Sequence, residues 1–449
     1  MPTKIAHLHI RPITILIVVA IASALTCRGN ESVRDFAGRP LLTESVHTAA
    51  GVQADSAIVQ QIRRTFDDFG RELTVSHRLG REGDWTELAS NTYDAVGRLI
   101  ATDRGSSSEL RTDFTLDIRS RLSEITSDNY RQSLDFTPAG NVSRMRWWAH
   151  GIDETERQYD YTYDALGRLI AADYTDRRGG TGNFSTAYSY DLNGNILTLR
   201  RSGLYNVMSA RPYRLVDDLT MTYSGNRLIT VSDAVFGPYD QGSHHFVDRA
   251  DETVELTYDA NGNTISDLNH ELLTTIYDWN NQPRLMQFAD GSTATYLYDA
   301  AGVRHRVRHR VAEFPLAAPF FPDTEPDDEG FFTITTDYVG SMLYENSRLR
   351  QIFIDGGYIR LLDDSGQPLT TPEYHFFLRD HLGNNRLDAS VATTPAGQRA
   401  VAINQAVHYY PFGLPMDCSH FPDYQRWLFG VGNGLRLIPI DRFTPICTD

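Results

Sequence analysis

Residues 163–170 read YDALGRLI, and close copies of this phrase recur along the chain. They are YDAVGRLI from Tyr93, YDLNGNIL from Tyr190, YDANGNTI from Tyr258 and YDAAGVR from Tyr298. Looser copies begin at Phe66, Leu116, Phe136, Tyr223 and Tyr277, so that successive starts lie 19 to 35 residues apart. Self-similarity at this period indicates a repeat protein. Each unit is long enough for two short strands and their turns, and leaves no room for regular alternation of strands and helices.

The phrase has the chemistry of a hairpin turn. Asp accepts a hydrogen bond from the backbone amide two residues on, and Gly adopts the left-handed conformation that ends a three-residue loop. Aromatic and aliphatic side chains then face each other across the hairpin. The expected pairs are Tyr93–Leu99, Tyr163–Leu169 and Tyr190–Ile196. The sequence therefore predicts an all-β fold of repeated antiparallel β-hairpins.

Two further features follow from this register. The strand period of two places the tyrosines that precede the phrase on the same face as the repeat tyrosines, so one face is aromatic. These tyrosines are Tyr161, Tyr188 and Tyr296. The three-residue loop also requires positive φ at its glycine. The prediction applies to Gly97, Gly167, Gly194 and Gly262.

The copy that begins at Tyr277 departs from the pattern. Asn281 stands where Gly is expected, and Asn tolerates the left-handed region better than other residues that carry a side chain. Pro283 follows, and proline cannot donate to a strand ladder. This predicts an edge strand after the turn.

Composition limits the classes of function. The chain has 449 residues, 41% of them hydrophobic, and a formal net charge of −16. This is the composition of a folded protein. The acid excess repels phosphate backbones and no basic run is present, so no nucleic-acid partner is expected. Three cysteines, Cys27, Cys418 and Cys447, are too few for a disulfide framework or a Cys-based zinc module.

Residues 1–24 have the order of a secretory signal peptide. Basic residues precede an apolar run at residues 13–25, and Ala22-Ser23-Ala24 supplies a small-x-small cleavage site. The run is short for a membrane span and no comparable run follows it, so no integral span is expected in the mature chain. Export to the cell surface or the extracellular space is predicted. A lipid anchor on Cys27 is the less favoured alternative, because Thr26 precedes the cysteine.

The repeats resemble the YD-repeat (Rhs) family, and the C-terminal third resembles the Bacteroidetes-like RHS repeat-associated core. The core match lies in YENSRLRQIFIDGGYI (344–359), YHFFLRDHLGNNRL (374–387) and HYYPFGLPM (408–416). With the repeats, the resemblance covers roughly residues 60 to 416. It implies a continuous spiralling β-sheet that forms a partial or complete hollow shell, as in bacterial Rhs and toxin-complex proteins and in animal teneurins.

The resemblance ends at Met416. In the family a variable segment, often a toxin, follows the core, and an aspartyl self-cleavage with an Asp-Pro-x-Gly motif releases it. The remaining 33 residues contain neither that motif nor the usual closing phrases of the core. The resemblance therefore does not extend to self-cleavage or toxin delivery. The tail is either a divergent cap or, as we favour, the remnant of a truncated or frame-shifted gene, because it shows no sustained alternation.

These observations divide the chain into six segments. They are a signal peptide (1–24), a polar leader (25–60), the YD-repeat β-hairpin array (61–310), a Pro-rich and acidic linker loop (311–330), the core-like segment (331–416) and the atypical tail (417–449).

The residues of interest are structural, and no catalytic, cofactor-binding or metal-binding residues are expected. The turn motif comprises Tyr93, Asp94, Gly97, Tyr163, Asp164, Gly167, Tyr190, Asp191, Gly194, Tyr258, Asp259, Gly262, Tyr298, Asp299 and Gly302. The core motif comprises Asp380, His381, Gly383, Tyr409, Tyr410, Pro411 and Gly413.

Two phrases could serve a chemical function instead of forming a turn, one in acid–base catalysis and one in calcium binding. Asp380-His381 has the residue types of an acid–base pair, but DHLG repeats the Asp-x-x-Gly turn, which is the favoured explanation. A calcium loop is suggested by Asp259, Asn261, Asn263, Asp267 and Glu271. The glycine falls at the fourth position and the terminal Glu at the thirteenth, where an EF-hand requires the sixth and the twelfth. Turn chemistry explains both phrases.

The predicted function is that of an exported, non-enzymatic YD-repeat β-shell protein without a recognisable toxin domain. By family resemblance it acts at the cell surface or extracellularly in contact-dependent competition or adhesion. Its partner is unknown, and a surface glycan or a protein of a neighbouring cell are the candidates. The alternatives are a glycan-binding repeat module and a truncated gene remnant without independent activity.

Export gives the first testable prediction. Because the cleavage site lies at Ala22-Ser23-Ala24, N-terminal sequencing of the secreted protein is expected to begin at Leu25. A cytoplasmic protein that begins at Met1 contradicts it.

Overall fold

The computed structural model describes residues 25–49, 58–150, 155–205, 211–235, 245–312, 327, 329–363, 367–393 and 399–416. These residues form strands and turns, with no helix among them. The predicted signal peptide, most of the predicted linker loop and the tail 417–449 lie outside the described residues.

The described strands form two antiparallel sheets, of sixteen and thirteen strands, and in each sheet the strand order follows the chain order. The first sheet contains β1 (Leu25–Arg34), β2 (Pro40–Ala49), β3 (Ile58–Phe66), β4 (Glu72–Leu79), β5 (Thr86–Tyr93), β6 (Leu99–Arg104), β7 (Ser107–Leu116), β8 (Leu122–Thr126), β9 (Tyr130–Phe136), β10 (Val142–Ala149), β11 (Arg157–Tyr163), β12 (Leu169–Asp176), β13 (Thr186–Tyr190), β14 (Ile196–Leu204), β15 (Tyr213–Ser224) and β16 (Arg227–Asp233).

The second sheet begins after a long connection. It contains β17 (Leu256–Tyr258), β18 (Thr264–Asp267), β19 (Leu272–Tyr277), β20 (Pro283–Phe288), β21 (Thr293–Tyr298), β22 (Arg304–Val311), β23 (Phe332–Val339), β24 (Met342–Glu345), β25 (Arg348–Ile354), β26 (Gly357–Leu362), β27 (Pro368–Arg379), β28 (Asn385–Thr393) and β29 (Arg399–Ala406). The predicted all-β fold of repeated hairpins is confirmed.

Two compact units are distinguished by their contacts. The first comprises Met1–Ile62 with Arg78–Asp84, and the second comprises Arg63–His77 with Trp85–Asp449. In the first unit, β1 and β2 form a hairpin inside the segment predicted as a polar leader. Its turn has the same chemistry as the repeats, because Asp35 accepts bonds from the amide and the guanidinium of Arg39 at 2.9 and 2.6 Å. The core-like segment and the repeats, except residues 61–62 and 78–84, belong to the second unit.

One carboxylate organises most of the repeat turns, as the turn at Asp164 illustrates. Asp164 Oδ1 accepts hydrogen bonds from the amides of Leu166 and Arg168, at 2.9 Å each, and Oδ2 accepts one from Arg168 Nε at 2.6 Å. The Arg168 amide and guanidinium hold the pKa of Asp164 below its usual value, so the carboxylate stays ionised. The positive φ predicted for the turn glycines is confirmed. It is +92° at Gly97, +80° at Gly167, +95° at Gly194 and +92° at Gly262.

The predicted cross-strand pairs are also confirmed. The structure pairs Tyr93 with Leu99, Tyr163 with Leu169 and Tyr190 with Ile196. A register shift lies directly before the aromatic residue in each case, as expected of a three-residue loop closed by a left-handed glycine.

The repeat tyrosines also join successive hairpins, a feature that the sequence does not indicate. The hydroxyl of Tyr190 donates to the carbonyl of Leu169 at 2.7 Å, and Leu169 is the cross-strand partner of Tyr163 in the preceding hairpin. The same link recurs along the second unit. It joins Tyr93 to Glu72, Tyr163 to Val142, Tyr223 to Ile196, Tyr258 to Leu228, Tyr277 to Thr264 and Tyr409 to Asn385, at 2.7 to 2.9 Å.

The turn at Tyr277 corrects one prediction. Asn281 takes a left-handed φ of +59°, as expected. The edge strand predicted from Pro283 is wrong, because β20 lies between β19 and β21. Pro283 is the first residue of β20 and pairs with Tyr277 at the register shift. Proline is tolerated at the first residue of a strand, where its missing amide proton is not required by the ladder.

Alternate residues of the strands form the core. In β10, Met145, Trp147 and Ala149 are buried while their neighbours are partly exposed. Trp147 stacks on Tyr159 with ring centres 5.4 Å apart, and Tyr159 meets Tyr174 edge to face at 5.7 Å. In the second sheet the corresponding cluster is mainly aliphatic. It comprises Leu272, Met286, Phe288, Ala294, Val311 and Ile334.

The turn geometry gives the second prediction. Replacement Gly167→Val places a β-branched side chain at φ +80°, so we expect the free energy of unfolding to fall by more than about 1 kcal/mol. Gly167→Asn serves as the matched control and is expected to cost less, because Asn tolerates this region. Equal losses for Val and Asn in urea unfolding contradict the turn assignment.

Candidate functional site at the core motif

Two turns carry the core motif. The first joins β27 to β28, where Asp380 Oδ1 accepts bonds from the amides of Leu382 and Asn384 at 2.9 Å each. Asp380 Oδ2 accepts bonds from Asn384 Nδ2 at 3.0 Å and from Arg386 Nε at 2.9 Å. Gly383 has φ +87°. The phrase DHLGN thus builds the same turn as the repeats, and that turn occupies the carboxylate of Asp380.

The second turn follows β29 and uses tyrosine where the repeats use aspartate. The Tyr410 amide donates to Leu414 O at 2.8 Å, and the Gly413 amide donates to Tyr410 O at 3.0 Å. Pro411 lies inside this turn, and Gly413 has φ +84°. The Tyr409 hydroxyl links this turn to the β27–β28 hairpin through Asn385 O. Tyr409 therefore occupies the position of a repeat tyrosine.

The core motif packs directly against strands of the first sheet within the second unit. Trp147 Nε1 donates to His408 Nδ1 at 3.1 Å, and the His381 amide donates to Gln132 Oε1 at 3.1 Å. The Tyr410 hydroxyl donates to Ser202 O at 2.8 Å. These bonds join residues more than 200 positions apart in the chain. The core motif is therefore bound to the repeats that precede it.

A buried ion pair lies at this contact. The Asp380 and Arg386 side chains are 0% and 2% exposed, and Arg386 Nε lies 2.9 Å from Asp380 Oδ2. Burial opposes ionisation of Asp380, but the Arg386 charge and the bonds from Asn384 outweigh it and hold its pKa below the usual value. The Arg386 guanidinium lies over the Tyr409 ring, 4.9 Å from its centre.

Histidines form further contacts of the core. His77, on β4, is hydrogen bonded to the Tyr374 hydroxyl on β27 at 3.1 Å, and burial lowers its pKa to about 4. Burial and the charges of Arg157 and Arg386 also hold the pKa of His408 well below its usual value. A neutral imidazole is needed at His408, because its Nδ1 accepts the hydrogen bond that Trp147 Nε1 donates.

One cavity brings together residues from both predicted motifs. Its volume is about 540 Å3, and the core motif contributes Asp380, His381, Tyr410 and Pro411. The turn motif contributes Tyr163, Gly167, Tyr190 and Gly194. The other turn-motif residues lie at their own hairpin turns and do not line this cavity. Sequence reasoning missed Trp147, Arg386 and His408; the only signal for Arg386 is its place in the core phrase LGNNRL.

The calcium-like phrase forms an ordinary turn. Asp259 Oδ1 accepts bonds from the amides of Asn261 and Asn263, and Oδ2 accepts one from Asn263 Nδ2. Within the described part of the chain, no group of three or more His, Cys, Asp or Glu residues is placed to hold a metal ion. The same part contains no helix of the length and hydropathy that a membrane crossing requires.

Comparison with solved structures identifies proteins that have a similar fold. No protein-family profile matches the chain, and no curated protein matches it in sequence. The crystal structure of TcdB2-TccC3-Cdc42 is similar over 86% of this chain, with a TM-score of 0.58 and 14% identity. The likeness supports an Rhs-like shell fold.

Two further solved structures agree with this Rhs-like fold. TcdB2-TccC3-TEV matches 89% of the chain with a TM-score of 0.57 and 15% identity. The Photorhabdus luminescens Tc holotoxin pore matches 84% with a TM-score of 0.54 and 15% identity. The chain spans about one fifth of the length of these proteins. At such identities the likeness concerns the fold alone, and the Bacteroidetes-like core stays a prediction.

The buried histidines give the third prediction. His77 has a lowered pKa when folded, so below about pH 6.5 the unfolded chain binds a proton that the folded protein does not. The free energy of unfolding therefore keeps its full value above pH 6.5 and falls by about 1.4 kcal/mol per pH unit as the pH is lowered toward 4. We expect His77→Gln to reduce the pH dependence of urea unfolding between pH 7 and 5. The exposed His150→Gln is the control, and equal slopes for the two variants contradict the assignment.

Proposed function

We propose that this chain is an exported, non-enzymatic β-hairpin scaffold with an Rhs-like fold that acts at the cell surface or outside the cell. Its role is contact-dependent competition or adhesion. The observation that carries the proposal is the hairpin array itself, in which repeat tyrosines link several hairpins to the ones before them and the core motif binds back onto the repeats. The fold likeness to the Tc toxin structures and the signal-peptide pattern support it.

The chemistry of the acidic residues supports a scaffold and not an enzyme. The turn aspartates accept two backbone amide bonds each, and most accept a third bond from Arg or Asn four residues on. Asp380, which has the strongest resemblance to a catalytic acid, is bound in the same way and is paired with Arg386. A carboxylate with both oxygens occupied and a lowered pKa is a poor general base.

Apolar side chains at the hairpin tips favour a protein partner. Turns that join an odd strand to the next even strand lie at one edge of a sequentially ordered antiparallel sheet. Val96, Leu166 and Leu192 lie in such turns and are 77%, 72% and 97% exposed. Single exposed apolar residues are ordinary, but a row of them along one edge is typical of an interaction surface. We call these three residues the tip row.

The tip row gives the fourth prediction. We expect the labelled protein to bind the surface of neighbouring bacteria, and the double variant Leu166→Ser with Leu192→Ser to bind at least about tenfold more weakly, because two apolar side chains no longer become buried. Leu297→Ser, which removes a 49% exposed apolar residue from β21, is the control and is expected to bind as the parent protein does.

The same assay separates the partner classes. Protease treatment of the target cells is expected to abolish binding, and glycosidase treatment is expected to leave it. The reverse pattern supports the glycan-binding alternative. An absence of binding to any cell surface contradicts the proposed function.

A further inference from the structure

A chain of hydrogen-bonded side chains crosses strands β26, β27 and β28 of the core-like segment. His375 Nδ1 on β27 lies 3.0 Å from Asp388 Oδ1 on β28, and the hydroxyl of Tyr358 on β26 donates to Asp388 Oδ2 at 2.8 Å. The three residues are 1%, 3% and 3% exposed, in the order His375, Asp388 and Tyr358. A buried network of this kind is strongly coupled, because the low local dielectric strengthens each bond.

The other nitrogen of this imidazole faces a second carboxylate. His375 Nε2 lies 3.8 Å from Glu373 Oε2, too far for a hydrogen bond, and this buried nitrogen has no hydrogen-bond partner. The Glu373 side chain is 43% exposed, and its Oε2 lies 3.6 Å from Arg360 Nη1 on β26. Glu373 therefore has room to move, and it gives solvent protons a route to the buried ring. We call Tyr358, Arg360, Glu373, His375 and Asp388 the His375 network.

The contact with Asp388 decides which nitrogen carries the proton of neutral His375. An ionised carboxylate only accepts hydrogen bonds, so Nδ1 is the protonated nitrogen and Nε2 is a bare acceptor. Nε2 and the Glu373 carboxylate are then two acceptors side by side. A second proton, bound at Nε2, turns this contact into one between a donor and an acceptor.

The charges of the network also favour that second proton. Arg360 supplies one positive charge, and Glu373 and Asp388 supply one negative charge each. The network therefore has a net charge of −1 with neutral His375 and of zero with the imidazolium. From β29, Asn404 lies 3.3 Å from His375 Nδ1 and adds no charge.

The surroundings of the ring act in the same direction. The Tyr358 ring stacks on His375 with ring centres 4.4 Å apart, and an aromatic face attracts a cation. Burial opposes the charge, but the hydrogen bonds and charges of Asp388 and Glu373 outweigh it and hold the pKa of His375 above its usual value. His77, whose bond is to a tyrosine hydroxyl, has a lowered pKa instead.

We propose that the His375 network is an acid-responsive switch, in which proton binding at His375 Nε2 draws the Glu373 carboxylate into a hydrogen bond and joins β26, β27 and β28 more firmly. The proton comes from the solvent, and no covalent bond of the protein changes. The core-like segment is then more stable in a mildly acidic medium than in an alkaline one. The switch is independent of the tip row and of the partner proposed above.

The sign of the effect follows from linkage. The folded protein retains a proton on His375 that the unfolded chain releases above about pH 6.5. The stabilising contribution of His375 is therefore complete below pH 6.5 and is lost as the pH rises through the pKa of the folded protein. His77 acts on the other side of this pH, so the two histidines can be separated by pH range.

An NMR titration of the isotope-labelled histidines in the full-length chain tests proton binding. The signal of His375 is the one absent from the spectrum of His375→Gln. We expect its midpoint to lie above pH 6.5, and to fall by about one pH unit in Glu373→Gln, which keeps the size of the side chain and removes its charge. Glu124→Gln, at an exposed carboxylate on β8, is the control and is expected to leave the midpoint unchanged.

Hydrogen exchange read by mass spectrometry tests the effect on the strands and needs no variant of His375. We expect the amides of β26, β27 and β28 to be better protected at about pH 6 than at about pH 8, after correction for the intrinsic exchange rate. The difference is expected to persist in Glu124→Gln and to shrink in Glu373→Gln.

Each measurement has a result that overturns the proposal. A His375 midpoint at or below pH 6.5 in the parent protein overturns proton binding by the network. A midpoint that Glu373→Gln leaves unchanged overturns the role of Glu373. Equal protection of the three strands at the two pH values overturns the switch, and leaves the scaffold function unaffected.

Discussion

The hydrogen bond from a repeat tyrosine to the backbone of the preceding hairpin is the interaction on which this structure depends. An isolated two-stranded hairpin is marginally stable in water, so each unit needs its neighbours. Pairing between strands supplies part of that support, and the tyrosine hydroxyl adds a link that crosses from one hairpin to the next. Burial raises the pKa of Tyr163 and Tyr190, so the hydroxyl keeps the proton that it donates. A single residue of the phrase thus pairs across its own hairpin and bonds to the hairpin before it.

The aspartate of the phrase has a different and local task. It binds the amides of its own turn and the side chain four residues on, and these contacts close the loop without help from other repeats. Because the aspartate needs only a side-chain donor four residues on, the residue type at that position varies. Arg98 and Arg168 bond the turn aspartate through Nε, while Asn195 and Asn263 do so through an amide at the same position. In the copies that begin at Phe66, Leu116 and Phe136 the tyrosine is replaced, and those copies lack the hydroxyl that makes this link.

The core motif contains both the aspartate turn and the tyrosine hydrogen bond of the repeats, and adds long-range contacts. Asp380 builds a turn and Tyr409 makes a link, as in the repeats. The additional groups are Trp147, Arg386 and His408, which meet in the interior. A buried ion pair is costly to desolvate and tolerated only when its bonds are satisfied, and Asp380 meets that condition with four hydrogen bonds from three residues. The exception is Arg386 Nη1, which is buried and has no hydrogen-bond partner.

Local features of the fold could be predicted from the sequence, and long-range ones could not. The hairpins, their register and the left-handed glycines follow from residues within eight positions of each other, such as Tyr163, Gly167 and Leu169. The edge strand predicted from Pro283 was wrong because the sequence does not distinguish a proline at the start of a strand from one on an edge strand. The bond between Trp147 and His408 spans 261 positions, and no periodicity in one sequence reveals it. Export, the tail and the partner stay predictions.

A set of tyrosine-to-phenylalanine variants tests the central claim most directly. Tyr163→Phe, Tyr190→Phe and Tyr223→Phe each delete one oxygen and leave a carbonyl of the preceding hairpin without its donor. We predict that each lowers the free energy of unfolding in urea by about 1 kcal/mol, and that the triple variant loses more than any single one. Tyr338→Phe, on β23 and outside the turn phrase, is the control. Losses no larger than that of the control would contradict the account.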